Sequence, residues 1–299
     1  MIPVANAPCS WGVLEFDSED QAASYEQVLD EMRQTGYAGT ELGDWGFMPT
    51  DPAQLSQELA ERELALLGAF VPVALADPAT HTGGVEQAVR TARLLAAVEP
   101  ETPFIVLADD NGADPWRTQH AGRTAGRHML DEGQWAAFAE GTTRIARAVR
   151  DGCGLRTVFH HHGAGFVETP NELDQLMALT DPDLLGLCLD TGHLRFGGGD
   201  PLAAIGQYGE RIWHVHFKDF SPQVADQGRR EQWDYFEAVR HGVFCELGQG
   251  DVDFPAVISA LQGLDYDGWI VVEQDVLPGL GTPRESAARN RAYLRGLGL

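Results

Sequence analysis

Apolar and polar positions alternate along this chain with two recurring periods. Short apolar runs are followed by longer stretches whose apolar residues recur at helical spacing. The first run is Pro3-Val4-Ala5-Asn6-Ala7, and residues 18–35 then predict an amphipathic helix. That helix carries Ala22, Tyr25, Val28, Leu29 and Met32 on one face, and Gly36 closes it. Further strands are predicted at residues 39–42, 64–71, 104–108, 157–161, 185–190, 212–218 and 269–272. Helices are predicted near 51–62, 84–98, 132–150, 201–208 and 255–264. Thr169-Pro170-Asn171-Glu172 and Thr282-Pro283-Arg284-Glu285 each read as a capping box that opens a helix with proline in its first turn.

Eight strand-then-helix units predict an α/β fold, a single (β/α)8 TIM barrel forming one domain over residues 1–299. A doubly wound open sheet is the alternative. No G-x-G-x-x-G follows the first strand, and Gly197-Gly198-Gly199 lacks phosphate-loop spacing. Two connections, 109–130 and 220–251, are longer than ordinary loops. They are expected to cover the site or to pack against a neighbouring copy, which leaves a homo-oligomer open.

Composition narrows the function. Hydrophobic residues make up 43% of the 299, enough for a sizeable core, and the formal net charge is -24. That charge opposes binding to nucleic acid and to anionic membrane surfaces. Mean hydropathy is -0.22, no apolar run has the length of a membrane helix, and the N-terminus has no basic, apolar leader. Cys9, Cys153, Cys188 and Cys245 lie far apart, with no C-x-x-C pair, so a cytoplasmic location is expected.

The chemistry lies at the strand ends. Strand residues in a barrel alternate between its interior and the helix layer. Val215 and Phe217 belong to the helix layer, so His214, His216 and Lys218 face the axis or the mouth. The same argument turns Asp190 inward opposite Leu187 and Leu189, and Glu273 inward opposite Ile270 and Val272. His160 and His162 turn inward opposite Phe159 and His161. Four successive strands thus send His160, Asp190, His216 and Glu273 to the rim where barrel enzymes place their chemistry. Buried charges at a rim need partners or a metal. Two imidazoles and two carboxylates suit one divalent ion: manganese, cobalt, zinc or magnesium. His214, lying deeper, reads as a hydrogen-bonded core residue, and His161 as structural. Glu41 and Asp109 fit the same rim or serve as loop caps. Trp11, Glu41 and Phe70 are expected to wall the pocket.

Leu189-Asp190-Thr191-Gly192-His193, His214-Val215-His216-Phe217-Lys218-Asp219 and Gly268-Trp269-Ile270-Val271-Val272-Glu273 resemble the xylose-isomerase-like barrel superfamily of sugar isomerases and epimerases. Phe159-His160-His161-His162-Gly163 is most similar to its inosose dehydratase branch. The resemblance implies one catalytic divalent metal held by His160, Asp190, His216 and Glu273. In the superfamily's epimerases the fifth-strand ligand is a second, proton-shuttling glutamate; here it is His160. Elimination needs one base and one acid, so the resemblance implies a lyase that dehydrates a polyhydroxylated cyclic ketone. Glu273 and Lys218 are alternative bases, while His193 and His162 are expected to orient hydroxyls or act as the acid. The resembling dehydratases carry a lysine in the third strand, where this chain reads Leu67-Gly68-Ala69-Phe70-Val71-Pro72. That departure leaves the substrate open between a polyol ketone and a sugar. The competing readings are a metal-dependent sugar isomerase or ketose 3-epimerase, an abasic-site endonuclease, and a non-catalytic sugar-binding protein.

Overall fold

The computed structural model describes residues 2–12, 23–99, 103–124, 126–276 and 280–299. Nine parallel strands form the sheet: β1 (Val4–Asn6), β2 (Gly39–Thr40), β3 (Ala65–Leu66), β4 (Gly68–Val73), β5 (Phe104–Asp109), β6 (Arg156–His160), β7 (Leu185–Asp190), β8 (Ile212–Phe217) and, after a later hairpin, Ile270–Val272. The hairpin is antiparallel and made of β9 (Asp219–Phe220) and β10 (Phe244–Cys245), so Ile270–Val272 is β11. The sheet order is β3-β2-β1-β11-β8-β7-β6-β5-β4. Its two ends, β3 and β4, are one stretch of chain interrupted only at Leu67, so the sheet closes into the expected barrel.

Helices α1 (Tyr25–Thr35), α2 (Pro52–Glu61), α3 (His81–Val98), α4 (Pro115–His120), α5 (Glu132–Cys153), α6 (Pro170–Leu179), α7 (Thr191–Phe196) and α8 (Pro201–Tyr208) cover the outside. They are joined by α9 (Pro222–Glu231), α10 (Tyr235–Arg240), α11 (Phe254–Gly263) and α12 (Pro283–Gly296). Helix α1 begins later than the spacing predicts, at Ser24, whose hydroxyl accepts from Gln27 N; residues 18–22 lie outside the described residues. Its Val28, Leu29 and Met32 are fully buried, as their spacing requires. No helix among the described residues is long and apolar enough to cross a membrane.

The inside–outside phase read from the sequence holds on every strand that carries the rim residues. Phe159, Leu187, Leu189, Val215, Phe217, Ile270 and Val272 join the outer core against the helices. Val106, Val158, Cys188 and Phe104 pack inside the barrel, as do Ala5, Leu67 and Val271. A register shift between Leu187 and Cys188 accommodates Trp213 low in the barrel. A Cβ at Gly186 would lie 2.3 Å from that indole, so only glycine fits there.

One capping box forms and the other does not. At α6 the Thr169 hydroxyl and the Glu172 carboxylate satisfy each other's backbone N–H groups. At α12 the Thr282 side chain makes no cap bond; Ser286 and Arg289 tie the first turns to Glu246 instead. Thr169→Ala should therefore cost about 1 kcal/mol of stability and Thr282→Ala close to nothing, as read by denaturant unfolding.

The two long connections pack on each other over the C-terminal mouth. Arg123 and Gln119 of the first donate to the carbonyls of Trp233 and Gln232 of the second. Fully buried Arg117 anchors the first connection: it grips Glu172 with both terminal guanidinium nitrogens, at 2.7 and 3.0 Å, and donates from Nε to Gly165 O. A buried pair broken on one side leaves an uncompensated charge, so Arg117→Met should cost about 3–5 kcal/mol in unfolding free energy.

Candidate metal centre and acid–base cluster

Strand ends β6, β7, β8 and β11 bring His160, Asp190, His216 and Glu273 together at the mouth. One ligand atom from each lies within 4.8 Å of all the others. Asp190 is wholly buried, and its two oxygens have different work. Oδ1 accepts from His193 N at 2.7 Å and caps α7, while Oδ2 faces His160 Nε2 at 3.5 Å. Glu273 is divided in the same way. Its Oε1 lies 3.1 Å from His216 Nδ1 and its Oε2 lies 3.2 Å from Lys218 Nζ.

Outer groups fix the imidazoles. His216 Nε2 lies 2.9 Å from Glu41 Oε1, and His214 Nε2 lies 2.7 Å from the same oxygen. A ring nitrogen facing a carboxylate oxygen donates to it, which turns His216 Nδ1 toward the cluster. Glu41 is thus a supporting group as well as a pocket wall, and His214 is the hydrogen-bonded core residue its depth suggested. His161 points outward, where its Nε2 accepts from Asp190 N at 3.3 Å. Asp109 is a loop cap, accepting from Phe166 N.

A divalent cation fits this donor set. His160 Nε2 faces Asp190 Oδ2 at 3.5 Å and His216 Nδ1 faces Glu273 Oε1 at 3.1 Å, so each buried ring turns one nitrogen toward a carboxylate of the cluster. Burial, then the charge on His216, pushes the His160 pKa down to about 3, so its ring is neutral and able to ligate. Burial opposes charge on His216, yet Cys188, Glu273 and Glu41 hold its pKa well above the usual imidazole range. The field that favours a proton there also favours a metal ion. Two other groups of donors lie close among the described residues, His160–Cys188–His216 and Glu41–His214–His216. Burial pushes the Cys188 thiol up to about 12, and Glu41 Oε1 is already shared by two imidazoles. The four-residue group is the best donor set.

Lys218 is the one lysine in the sequence; every other basic side chain is arginine. It is buried, and its ammonium contacts Glu273, Asp275 Oδ2 at 3.3 Å and His193 Nε2 at 3.4 Å. It also sits 4.8 Å from the centre of the Phe244 ring. Burial would lower its pKa, but Asp275, Glu273 and Asp190 raise it well above the usual amine range. The Asp190–His193 segment explains its placement. Thr191 Oγ1 donates to Lys218 O at 2.7 Å and accepts from Lys218 N at 3.1 Å. A Cβ on Gly192 would lie 2.7 Å from Lys218 Cγ, so glycine lets α7 approach.

These groups surround a cavity of about 100 Å³ lined by Glu41, Phe70, His160, His162, Lys218 and Glu273. His162 donates from Nδ1 to Gly163 O at 2.7 Å, and its Nε2 lies 3.5 Å from the Tyr235 hydroxyl. Two of the expected site residues lie apart from the cavity lining. His193 lies against His162 with ring centres 3.9 Å apart, its Nδ1 beside Gly163 N and its Nε2 beside Lys218 Nζ, so it sits behind the cavity wall. Trp11 is not a wall residue: strand alternation ends where a 3-10 turn begins at Pro8, and its indole donates to Glu31 at 2.7 Å. Pro8 and Cys9 line the cavity instead. Sequence reasoning missed Asp275, the second carboxylate on Lys218. The only signal was that Asp275 lies two residues beyond Glu273, outside the alternating strand. It also missed Tyr235 and Asn111, which the two long connections bring to the cavity.

The sequence model of the xylose isomerase-like TIM barrel family matches residues 29–297. An inosose dehydratase of Lacticaseibacillus casei is 33% identical over 294 residues, covering 98% of this chain and 96% of that protein. Among solved structures, a 3-keto-D-glucoside 4-epimerase from E. coli superposes with a TM-score of 0.71 at 14% identity, covering 99% of this chain and all of that one. A probable 3-DHS dehydratase from Bacillus anthracis does so with a TM-score of 0.70 at 16% identity, covering 99% of each chain. The chain belongs to the xylose isomerase-like TIM barrel family and is an enzyme of the dehydratase or isomerase/epimerase type.

Proposed function

We propose that this chain is a metal-dependent lyase that removes water from a polyhydroxylated cyclic ketone of the inosose class. The observation that carries the reading is the asymmetry of the cluster. Of its two carboxylates, Asp190 is wholly buried and caps a helix, which leaves Glu273 as the one ligand carboxylate on the cavity wall. Its partner 3.2 Å away is an ammonium, not a second glutamate. Epimerisation by two ligand carboxylates lacks the second one on the cavity wall, where the ligand from β6 is His160; elimination needs one base and one acid.

His160, Asp190, His216 and Glu273 would hold the ion, which when bound polarises the ketone and acidifies the neighbouring C–H. The chain's own groups then divide the proton work. Glu273, held well below the usual carboxylate range against burial by His216 and Lys218, is ionised and accepts the α-proton at Oε2. The carbon–carbon double bond forms as the β C–O bond breaks, and Lys218 gives its proton to the departing hydroxyl, which leaves as water. Glu273 returns its proton to Lys218, and both groups are reset. Base and acid share one wall, which favours loss of hydrogen and hydroxyl from the same face. His162 orients a hydroxyl. The carboxylates of Glu41, Asp44, Glu273 and Asp275 line the cavity with a single lysine, a field that opposes a phosphate backbone.

Mass analysis of products from metal-replete protein and a panel of keto-inositols and ketoses tests the reading. The expected product is lighter by ~18 Da, one water lost in a metal-assisted elimination. Turnover to an isomer of unchanged mass would favour isomerase or epimerase activity instead.

A further inference from the structure

A second chamber adjoins the catalytic cavity. The two share Gly43, Asp44, Phe70 and Asn111 in their linings, so they lie side by side. The chamber holds about 380 Å³ against about 100 Å³ for the cavity. The remainder of its wall is Trp45, Pro72, Gln87, Thr91, Asp110 and Phe236.

We propose that this chamber is a second subsite, which takes a neutral glycosyl ring carried on the polyol ketone bound at the cluster. The proposal rests on the polyol reading above and extends the substrate class to two-ring compounds.

Size, surface chemistry and charge all point to that occupant. The chamber is the larger of the two spaces, so a second ring has room where the first has only the cavity. Trp45 stands at its edge 36% exposed, and the Arg90 guanidinium lies 4.3 Å from its ring centre. A held indole of this kind packs against the C–H face of a sugar ring. Gln87, Thr91 and Asp110 offer hydroxyl partners on the same wall. Asn111 sits where the two spaces meet, and its Oδ1 is buried with no hydrogen-bond partner. A hydroxyl reaching from either ring would satisfy it. The mixture of polar and apolar lining disfavours a purely apolar substituent. Among the described residues, two carboxylates and no lysine or arginine line the chamber, which disfavours a phosphate or carboxylate group.

Calorimetry on metal-replete protein tests this with myo-inositol, its galactoside galactinol, and inositol 1-phosphate as probes. The galactoside should bind at least about tenfold more tightly than inositol. Trp45→Ala and Gln87→Ala should each bring that ratio toward one. A galactoside that binds no tighter than inositol, or a ratio that both variants leave unchanged, overturns the second subsite and leaves the polyol reading intact. Tighter binding of the phosphate than of the galactoside overturns the neutral-ring assignment. Protein that binds neither inositol nor galactoside overturns both readings.

Discussion

Glu273→Gln should lower kcat by about 10²–10⁴, the range for loss of a positioned proton-transfer group, and should also weaken metal binding. Oε1 of this residue faces His216 and Oε2 faces Lys218, so one substitution removes a ligand charge and the base. His160→Ala should lose the ion to a comparable degree without touching the Glu273–Lys218 pair. Glu41→Gln is the graded control. It leaves four donors in place but weakens the carboxylate that orients His216, for which about 10–100-fold in metal affinity is expected. Metal content after dialysis and steady-state rates at saturating metal separate the three. If His160→Ala and Glu273→Gln both kept full metal content, the donor set would be wrong.

Lys218→Met should abolish turnover while the ion stays bound, and should destabilise the protein by about 3–5 kcal/mol, because buried Asp275 loses its partner. The double variant Lys218→Met/Asp275→Asn removes both charges and should recover much of that stability without recovering activity. Lys218→Arg should fail as well. A guanidinium is permanently charged and bulkier, and the side chain is already packed against Gly192. The composition bears on this expectation. In a chain that uses arginine at every other basic position, the single lysine stands in the cavity. Activity in Lys218→Arg near that of the parent would remove Lys218 from the proton work and leave it a structural cation.

The barrel and its four-residue rim were legible because apolar residues fix strand phase independently of polar ones. Leu187 and Leu189 on one face of β7, and Val215 and Phe217 on one face of β8, leave Asp190 and His216 no direction but inward. Where the strand period stops, so does the reading. Trp11 lies in a 3-10 turn, and Asp275 lies past the end of β11, so alternation says nothing about either side chain. His193 was placed in the cluster by its motif, but whether it faced substrate or Lys218 depended on how α7 sits. The α12 cap failed because its first turns are drawn to Glu246, a tertiary contact between residues far apart in sequence. The chamber beside the cavity was not legible, since it is formed by the segment after β2, β4, α3 and both long connections meeting in space.

X-ray absorption on zinc-loaded protein tests the metal centre most directly. The account predicts a shell of nitrogen and oxygen alone at about 2.0–2.2 Å, with the multiple-scattering signature of two imidazoles. Sulfur scattering at about 2.3 Å would place the ion on His160, Cys188 and His216, and would contradict it.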